Sequence, residues 1–301
     1  MLTQIRGLHH VTSMASKARA NNAFFTRTLG LRRVKKTVNF DAPDVYHLYY
    51  GDELGRPGTA MTYFPFPNAA PGRRGAGEVA ETRLAIPEGA AGFWADRLGK
   101  DVETDAFGTP VVRIAAPDGD AFALVESDDP RDPYSAVIDA DHAIRGFHSS
   151  APLVHDAAPM AELLRFMGYE ETAHEGEVIR FTKQGGTANI IDLIERPSAP
   201  VAQQSGGSVH HIAFSVADRT AQAEVRKALS EQGFGVTPQI DRDYFWAIYF
   251  RTPGGILFEV ATDEPGFDRD EDAATLGQAL KLPSQHEHLR ERLERTLAPL
   301  D

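Results

Sequence analysis

The chain has no cysteine among its 301 residues, and this absence limits both its redox chemistry and its choice of metal ligands. Disulfide bonds and thiolate metal sites are excluded. A transition metal would therefore have to be bound by histidine, aspartate or glutamate.

Basic residues are in the minority, with 31 Lys and Arg against 43 Asp and Glu and a net charge of -12. Nucleic acids and anionic membranes bind basic surfaces, so neither is expected as a partner. No apolar run approaches the roughly 20 residues that a membrane-spanning helix needs, and a basic and apolar leader is lacking before Gly7. We therefore expect a cytoplasmic protein.

An internal repeat organises the chain. "RGLHHV" at Arg6 returns as "RGFHSS" at Arg145, and an amphipathic segment that stops at a glycine follows each copy. Within each half a second unit begins at "AETRLAI" or "VHHIAFS" and closes with "APDGDAFALVES" or "TPGGILFEVATD". Turn sequences followed by short apolar runs predict a strand, a helix and three further strands for each unit.

The predicted fold class is therefore α+β, with four βαβββ units whose sheets pair into cup-shaped half-barrels. Two units form an N-terminal half over residues 1–140, and two form a C-terminal half over residues 141–268. A charged tail with a helical pattern covers residues 269–301. The length and the hydrophobic content of 42% suffice to bury a core of this size.

Two predicted strands carry adjacent histidines within otherwise apolar runs, His9 with His10 and His210 with His211. Alternate residues of a strand face opposite sides, so one histidine of each pair is expected to point into the cup. We assign that position to His10 and His211, because their neighbours on the same face are small and leave room for a ligand.

Glu259 interrupts the apolar strand "GGILFEVAT", where an unpaired carboxylate would be costly to bury. Together with His10 and His211 it forms the set of two histidines and one carboxylate that leaves open positions on non-haem Fe(II) or a similar divalent metal. The sister units have Ser149 in place of His10 and Ala123 in place of Glu259. Residues that served only the strand scaffold would be kept more evenly, so we predict one metal site between the first and fourth units.

The strings "HHV", "HHIAF" and "PGGILFE" resemble the vicinal oxygen chelate superfamily, whose paired βαβββ modules bind one divalent metal in a cup-shaped sheet. The longer strings "YHLYYGDELGRPGTAMTYFP", "DADHAIRGFHS" and "YFRTPGGILFEVATDEPGF" resemble its ring-cleaving branch, which includes the para-hydroquinone 1,2-dioxygenases. This resemblance implies Fe(II) ligation by the second histidine of each pair and by the glutamate. It also implies that four further residues contact the metal-ligating side chains or the substrate, namely His9, His210, Arg242 and Tyr249.

The implied activity is that of an extradiol-type dioxygenase, which opens a hydroquinone or related phenolic ring without an organic cofactor. The implied metal is Fe(II), with Mn(II) left open, and the implied partners are a small aromatic substrate and O₂. A metal lowers the pKa of a bound phenol and so supplies a phenolate near neutral pH. His9 or His210 would then act as acid or base, Tyr249 as hydrogen-bond donor and Arg242 as a fixed cation. The sequence leaves open whether the chain forms a homo-oligomer.

Two other functions stay open. A glyoxalase-like isomerase or a thiol transferase on this scaffold usually has four protein ligands, and the sequence offers three. A metal-free protein that sequesters aromatic compounds would not need His10, His211 and Glu259. Of the remaining histidines, His47 is expected to pack within a strand, with a place on the wall of the cup as the alternative, and His148 is expected to be structural.

Overall fold

The computed structural model describes residues 1–300, which form two curled sheets of eight strands with a few helices packed against them. The predicted α+β fold of four βαβββ units is confirmed. The strands are β1 (Leu8–Ala15), β2 (Arg32–Val38), β3 (Tyr46–Gly51), β4 (Ala60–Pro65), β5 (Glu78–Ile86), β6 (Glu103–Thr104), β7 (Pro110–Ala115), β8 (Ala121–Glu126), β9 (Gly146–Val154), β10 (Glu170–Glu175), β11 (Val178–Thr182), β12 (Ile190–Glu195), β13 (Val209–Val216), β14 (Ile240–Asp241), β15 (Phe245–Arg251) and β16 (Leu257–Pro265).

Each unit has one main helix between its first two strands, and a fifth helix lies near the C-terminus. The helices are α1 (Ala18–Ala23), which continues as a π-helical turn over Phe24–Thr28, α2 (Ala91–Leu98), α3 (Ala158–Phe166), α4 (Arg219–Glu231) and α5 (Arg290–Thr296). Short 3₁₀ turns cover Phe267–Arg269, Ala273–Thr275 and Ser284–Leu289. No helix among the described residues is both long enough and apolar enough to cross a membrane.

The two sheets combine the units crosswise. The strand order is β14-β15-β16-β13-β1-β4-β3-β2 in the first sheet and β10-β11-β12-β9-β5-β8-β7-β6 in the second. The first sheet therefore joins the first and fourth units through the antiparallel pair β1 and β13, and the second joins the other two units through β5 and β9. Separating the two halves of the chain would break both central pairings. The boundary between an N-terminal and a C-terminal half near residue 140 stays a prediction.

Local sequence signals explain where the helices begin and end. The carboxylate of Asp218 accepts a hydrogen bond from the backbone N–H of Ala221 at 2.9 Å and so caps the N-terminus of α4. The apolar residues Val225 and Leu229 on the inner face of this helix are fully buried. Gly99 follows α2 with φ of +60°, a conformation that glycine adopts without a steric penalty.

The pleat of the first sheet presents its two faces to different environments. In β16, Phe258 and Val260 join the main hydrophobic core, whereas Ala261 belongs to a smaller cluster on the opposite face. Glu259 shares that opposite face because strand residues alternate. The cup therefore lies on the side of the sheet that faces away from the main core.

Residues 269–300 lie against the first unit. Lys35 of β2 has a fully buried side chain, and its ammonium group pairs with the carboxylates of Asp270 at 2.7 Å and Glu271 at 2.5 Å. Leu293 of α5 is also fully buried. The C-terminal segment is therefore part of the folded molecule.

Candidate metal centre

His10 of β1, His211 of β13 and Glu259 of β16 meet near the middle of the first sheet. The Nε2 atoms of the two histidines are 3.3 Å apart and lie 3.4 Å and 2.8 Å from Oε2 of Glu259. All three side chains are buried, and their ligand atoms lie within 4.8 Å of one another. Ligands at right angles on an ion with bonds of about 2.1 Å are about 3.0 Å apart. The three side chains therefore fit one divalent ion.

The carboxylate of Glu259 supports the same interpretation. Neither of its oxygens accepts a hydrogen bond of normal geometry from the described residues, although Nε2 of His211 is 2.8 Å away. Burial acts to raise the pKa of Glu259, but the interactions with His10 and His211 outweigh it and hold the pKa well below its usual range. A buried, ionised carboxylate without hydrogen bonds is costly unless a cation compensates it.

The other histidine of each pair contacts its neighbour. The Nδ1 atoms of His9 and His10 are 2.9 Å apart, and those of His210 and His211 are 2.7 Å apart. The register between β1 and β13 shifts once at His9 and once at His210. Each of these two residues is thus the extra residue of a β-bulge, a feature that changes the direction of a side chain.

The bulges correct one expectation from the sequence. We expected one histidine of each pair to point into the cup, but His210 and His211 both line the cavity next to the metal centre. This happens because the bulge removes His210 from the regular alternation of the strand. His9 instead lies behind His10, on the wall of a smaller pocket, and its ring centroid is 5.4 Å from that of Phe245.

Metal binding would define the tautomers of the four imidazoles. With Nε2 of His10 and of His211 bound to a metal, the proton of each neutral ring lies on Nδ1. Each Nδ1–H then donates to the bare Nδ1 of its neighbour, which leaves the protons of His9 and His210 on Nε2. The pKa of each of these two neighbours is lowered to about 3, first by burial and then by the adjacent histidine. Both rings are therefore neutral near pH 7, and His210 presents an N–H donor to the cavity.

A cavity of about 400 Å³ opens beside the three converging side chains, which form part of its wall. Its size suits one aromatic ring with small substituents. The other lining residues are Met14, Asn39, Phe40, Asp41, Ala42, His47, Tyr49, Phe64, Phe66, His210, Arg242, Phe245, Tyr249 and Leu257. Aromatic side chains make up much of this wall and can pack against a planar ligand.

Arg242 and Tyr249, predicted from the resemblance, both line this cavity and contact each other. Nε of Arg242 donates to the hydroxyl oxygen of Tyr249 at 3.3 Å, and its terminal nitrogens lie 3.4 Å from the carboxylate of Asp41. Tyr249 lies opposite Glu259 in the pairing of β15 with β16. Burial, reinforced by the charge of Glu259, raises the pKa of Tyr249, so its phenol keeps its proton.

The sequence analysis gave little weight to His47 and overlooked Tyr49. Both side chains line the cavity. Nε2 of His47 lies 2.9 Å from the hydroxyl of Thr62, and Nδ1 lies 2.8 Å from the hydroxyl of Tyr49. The alternation in "YHLYY", which places residues 47 and 49 on one face, could have indicated them. The lining residues 39–42 lie in a loop, for which strand periodicity gives no signal.

The second sheet has ion pairs where the first has the metal candidates. Asp192 of β12 is fully buried and binds the guanidinium groups of Arg83 and Arg180. Ser149 lies beside this carboxylate at 3.5 Å, and Nδ1 of His148 is 3.0 Å from the Ser149 hydroxyl. Burial, followed by the charge of Arg180, lowers the pKa of His148 to about 4. These contacts agree with a structural role for His148.

Paired βαβββ units that hold two histidines and a glutamate in a curled sheet define the vicinal oxygen chelate class of proteins. The chain belongs to the Glyoxalase/Bleomycin resistance protein/Dioxygenase superfamily, whose family model matches residues 7–260. Glyoxalase I from Zea mays, with a TM-score of 0.64 at 12% identity, covers 86% of this chain and 92% of its own, and it shares the fold.

More similar relatives carry dioxygenase names. A protein of Bacillus subtilis named "Putative ring-cleaving dioxygenase MhqO" is 39% identical over 100% of this chain and 98% of its own length. The "Chlorohydroquinone/hydroquinone 1,2-dioxygenase" of Sphingobium indicum is 36% identical over 98% of this chain and 96% of its own. A crystal structure titled as a "putative dioxygenase" from Bacillus subtilis matches with a TM-score of 0.95 and 39% identity over 99% of this chain and 98% of that one.

Proposed function

We propose that this chain is a non-haem Fe(II) ring-cleaving dioxygenase of the extradiol type, which opens a hydroquinone or related phenolic ring with O₂. The observation that carries the proposal is the convergence of His10, His211 and Glu259 beside a cavity with aromatic walls. The names of the relatives at 36% and 39% identity support the same reaction class.

The two histidines and the glutamate would hold the metal, and Mn(II) would suit the same three ligands. When bound, Fe(II) supplies open positions for a phenolate oxygen and O₂ and conducts electrons between them. His9 would act as a positioning residue, because its contact with Nδ1 of His10 fixes the orientation of that ring.

Three further side chains are placed to handle the substrate. The hydroxyl oxygen of Tyr249 accepts from Arg242, so the O–H of Tyr249 can point into the cavity and donate to a substrate oxygen. His210 offers a second hydrogen-bond donor through its neutral Nε2–H, which can stabilise negative charge on a substrate oxygen. Arg242, whose side chain is 17% exposed, supplies a fixed positive charge for an anionic ring or product.

The alternative functions agree less well with this site. Within residues 1–300, the cluster of His10, His211 and Glu259 provides three protein ligands for a metal. A glyoxalase-like isomerase or a thiol transferase on this scaffold usually has four. A metal-free aromatic-binding protein would leave the carboxylate of Glu259 buried without compensation.

Oxygen uptake by anaerobically purified, Fe(II)-loaded protein tests the proposal on a panel of hydroquinones and catechols. We expect one O₂ consumed per ring, a ring-opened product and no requirement for an organic cofactor. The His10→Ala protein, loaded in the same way, is the matched negative control. The proposal is wrong if the loaded protein consumes no O₂ with any member of the panel, and isomerisation of a thiohemiacetal would establish the glyoxalase-like alternative.

A further inference from the structure

The loop over residues 39–45, which joins β2 to β3, forms one wall of the cavity. Asn39, Phe40, Asp41 and Ala42 of this loop line the cavity. The loop is closed by backbone hydrogen bonds, from Asn39 N–H to the carbonyl of Val45 at 2.8 Å and from Val45 N–H to the carbonyl of Ala42 at 2.9 Å. Its position against the metal centre depends on contacts with more distant parts of the chain.

From the cavity side, the loop is held by one residue of the fourth unit. The guanidinium of Arg242 lies 5.4 Å from the ring centroid of Phe40 and 3.4 Å from the carboxylate of Asp41. The carboxylate of Asp41 is 80% exposed, and exposed ion pairs contribute little because water screens them. This contact alone holds the loop weakly.

From the outer side, the loop is held by the C-terminal segment. Nε2 of His286 donates to the backbone carbonyl of Phe40 at 2.8 Å, and the side-chain amide of Gln285 donates to the same carbonyl at 3.4 Å. A third contact is the ion pair between Arg292 and Asp44 at 3.0 Å. The hydrogen bond from His286 is the shortest of these contacts and acts directly on the residue that carries a cavity-lining ring.

The segment that supplies these groups is itself anchored to the first unit. The hydroxyl of Tyr46 donates to the carbonyl of Ala298 at 3.1 Å, and the side chain of Asn22 donates to the carbonyl of Leu300 at 3.3 Å. Leu293 is fully buried among the core residues. A firmly anchored segment can therefore fix the position of the loop it touches.

We infer that the C-terminal segment completes the substrate cavity, with His286 as the positioning residue that holds Phe40 against the ring of the bound substrate. This inference rests on the proposed function for its choice of an aromatic substrate. Without the hydrogen bond, the loop would adopt the binding-competent position for a smaller fraction of the time. The apparent affinity for the substrate falls in proportion to the population of that position. The metal ligands, His210 and Tyr249 stay in place.

The first test measures the loop directly. We expect hydrogen exchange of the amides in residues 39–45 to speed up in His286→Ala and to return toward the wild-type rate in His286→Gln, whose amide can also donate. His288→Ala is the matched control, because that side chain is exposed and makes no hydrogen bond to any described residue. Unchanged exchange in His286→Ala would overturn the inference, whatever reaction the protein catalyses.

The second test measures the consequence for the substrate. For oxygen uptake with a hydroquinone, His286→Ala should raise KM about 2- to 10-fold, as expected for one lost hydrogen bond. The value of kcat and the iron content should stay within about twofold of wild type, and His286→Gln should restore KM. A fall in kcat with unchanged KM would contradict a positioning role. If wild-type protein takes up no O₂, the proposed function fails, and the exchange experiment still decides the role of His286.

Discussion

Nε2 of His211 and Oε2 of Glu259 lie 2.8 Å apart across the parallel strands β13 and β16, yet they do not form a hydrogen bond of normal geometry. The lone pairs that metal coordination needs are therefore not used by this contact. Nε2 of His10 completes a triangle with edges of 2.8 to 3.4 Å. The first prediction tests whether this triangle binds a metal.

Replacing Glu259 with Gln keeps the shape of the side chain and removes its negative charge. We expect Glu259→Gln to lose most of the bound metal, because two neutral imidazoles hold a divalent ion less well than the complete set. Metal content after anaerobic loading with Fe(II) and desalting gives the measurement. His148→Ala, in the corresponding strand of the second sheet, should keep full occupancy. Equal metal content in Glu259→Gln and wild type would remove this residue from the ligand set.

Tyr249→Phe should separate hydrogen-bond donation to the substrate from metal binding. Loss of the hydroxyl is expected to lower kcat about 10²- to 10³-fold, as for removal of one hydrogen-bond donor that stabilises developing charge, while the iron content stays unchanged. Tyr169→Phe is a matched control, since this buried hydroxyl has no hydrogen-bond partner and lies away from the cavity. Iron loss in Tyr249→Phe would show that Tyr249 supports the metal centre instead.

Asp192→Asn should reveal the cost of disrupting the buried ion pairs of the second sheet. The substitution removes the carboxylate that Arg83 and Arg180 share, and leaves them Glu81 at 2.7 Å and Asp105 at 3.3 Å respectively. We expect a loss of up to about 3–5 kcal/mol in the free energy of unfolding. Denaturant unfolding measures this loss. Glu177→Gln breaks the exposed pair with Arg196 and should change stability little. Equally small effects in both variants would show that the buried pairs contribute no more than the exposed one.

Asp120, which directly precedes β8, should make stability depend on pH. Burial raises the pKa of Asp120 from 3.8 to about 6, although a hydrogen bond from the hydroxyl of Tyr63 opposes this shift. Because the folded state favours the protonated carboxyl, its stabilising contribution is complete below about pH 4 and is lost as the pH rises toward 6. Above pH 7, Asp120→Asn should therefore be more stable than wild type by up to about 3 kcal/mol, since each pKa unit corresponds to about 1.4 kcal/mol.

Unfolding curves between pH 4 and pH 8 measure this effect. The Asn variant should lack the decline between pH 4 and 6, and Tyr63→Phe should move the decline to higher pH by removing the donor. Parallel curves for wild type and Asp120→Asn would contradict the raised pKa.

The sequence by itself determined the repeat and the residues that converge in the first sheet. Strand alternation places His10, His211 and Glu259 on one face, and their loss from the sister units indicates one site shared by the first and fourth units. These conclusions hold because a two-residue period and a duplicated order of elements can both be read locally along the chain.

The tertiary structure alone decided the features that depend on distant contacts. The bulge that turns His210 into the cavity is a property of the pairing between β1 and β13, so strand periodicity cannot reveal it. The bond from His286 to Phe40 joins residues 246 positions apart. Asp192 likewise meets Arg83 across a separation of 109 residues. No local pattern encodes such pairs, because they form only when the closed sheets and the anchored C-terminal segment bring these side chains together.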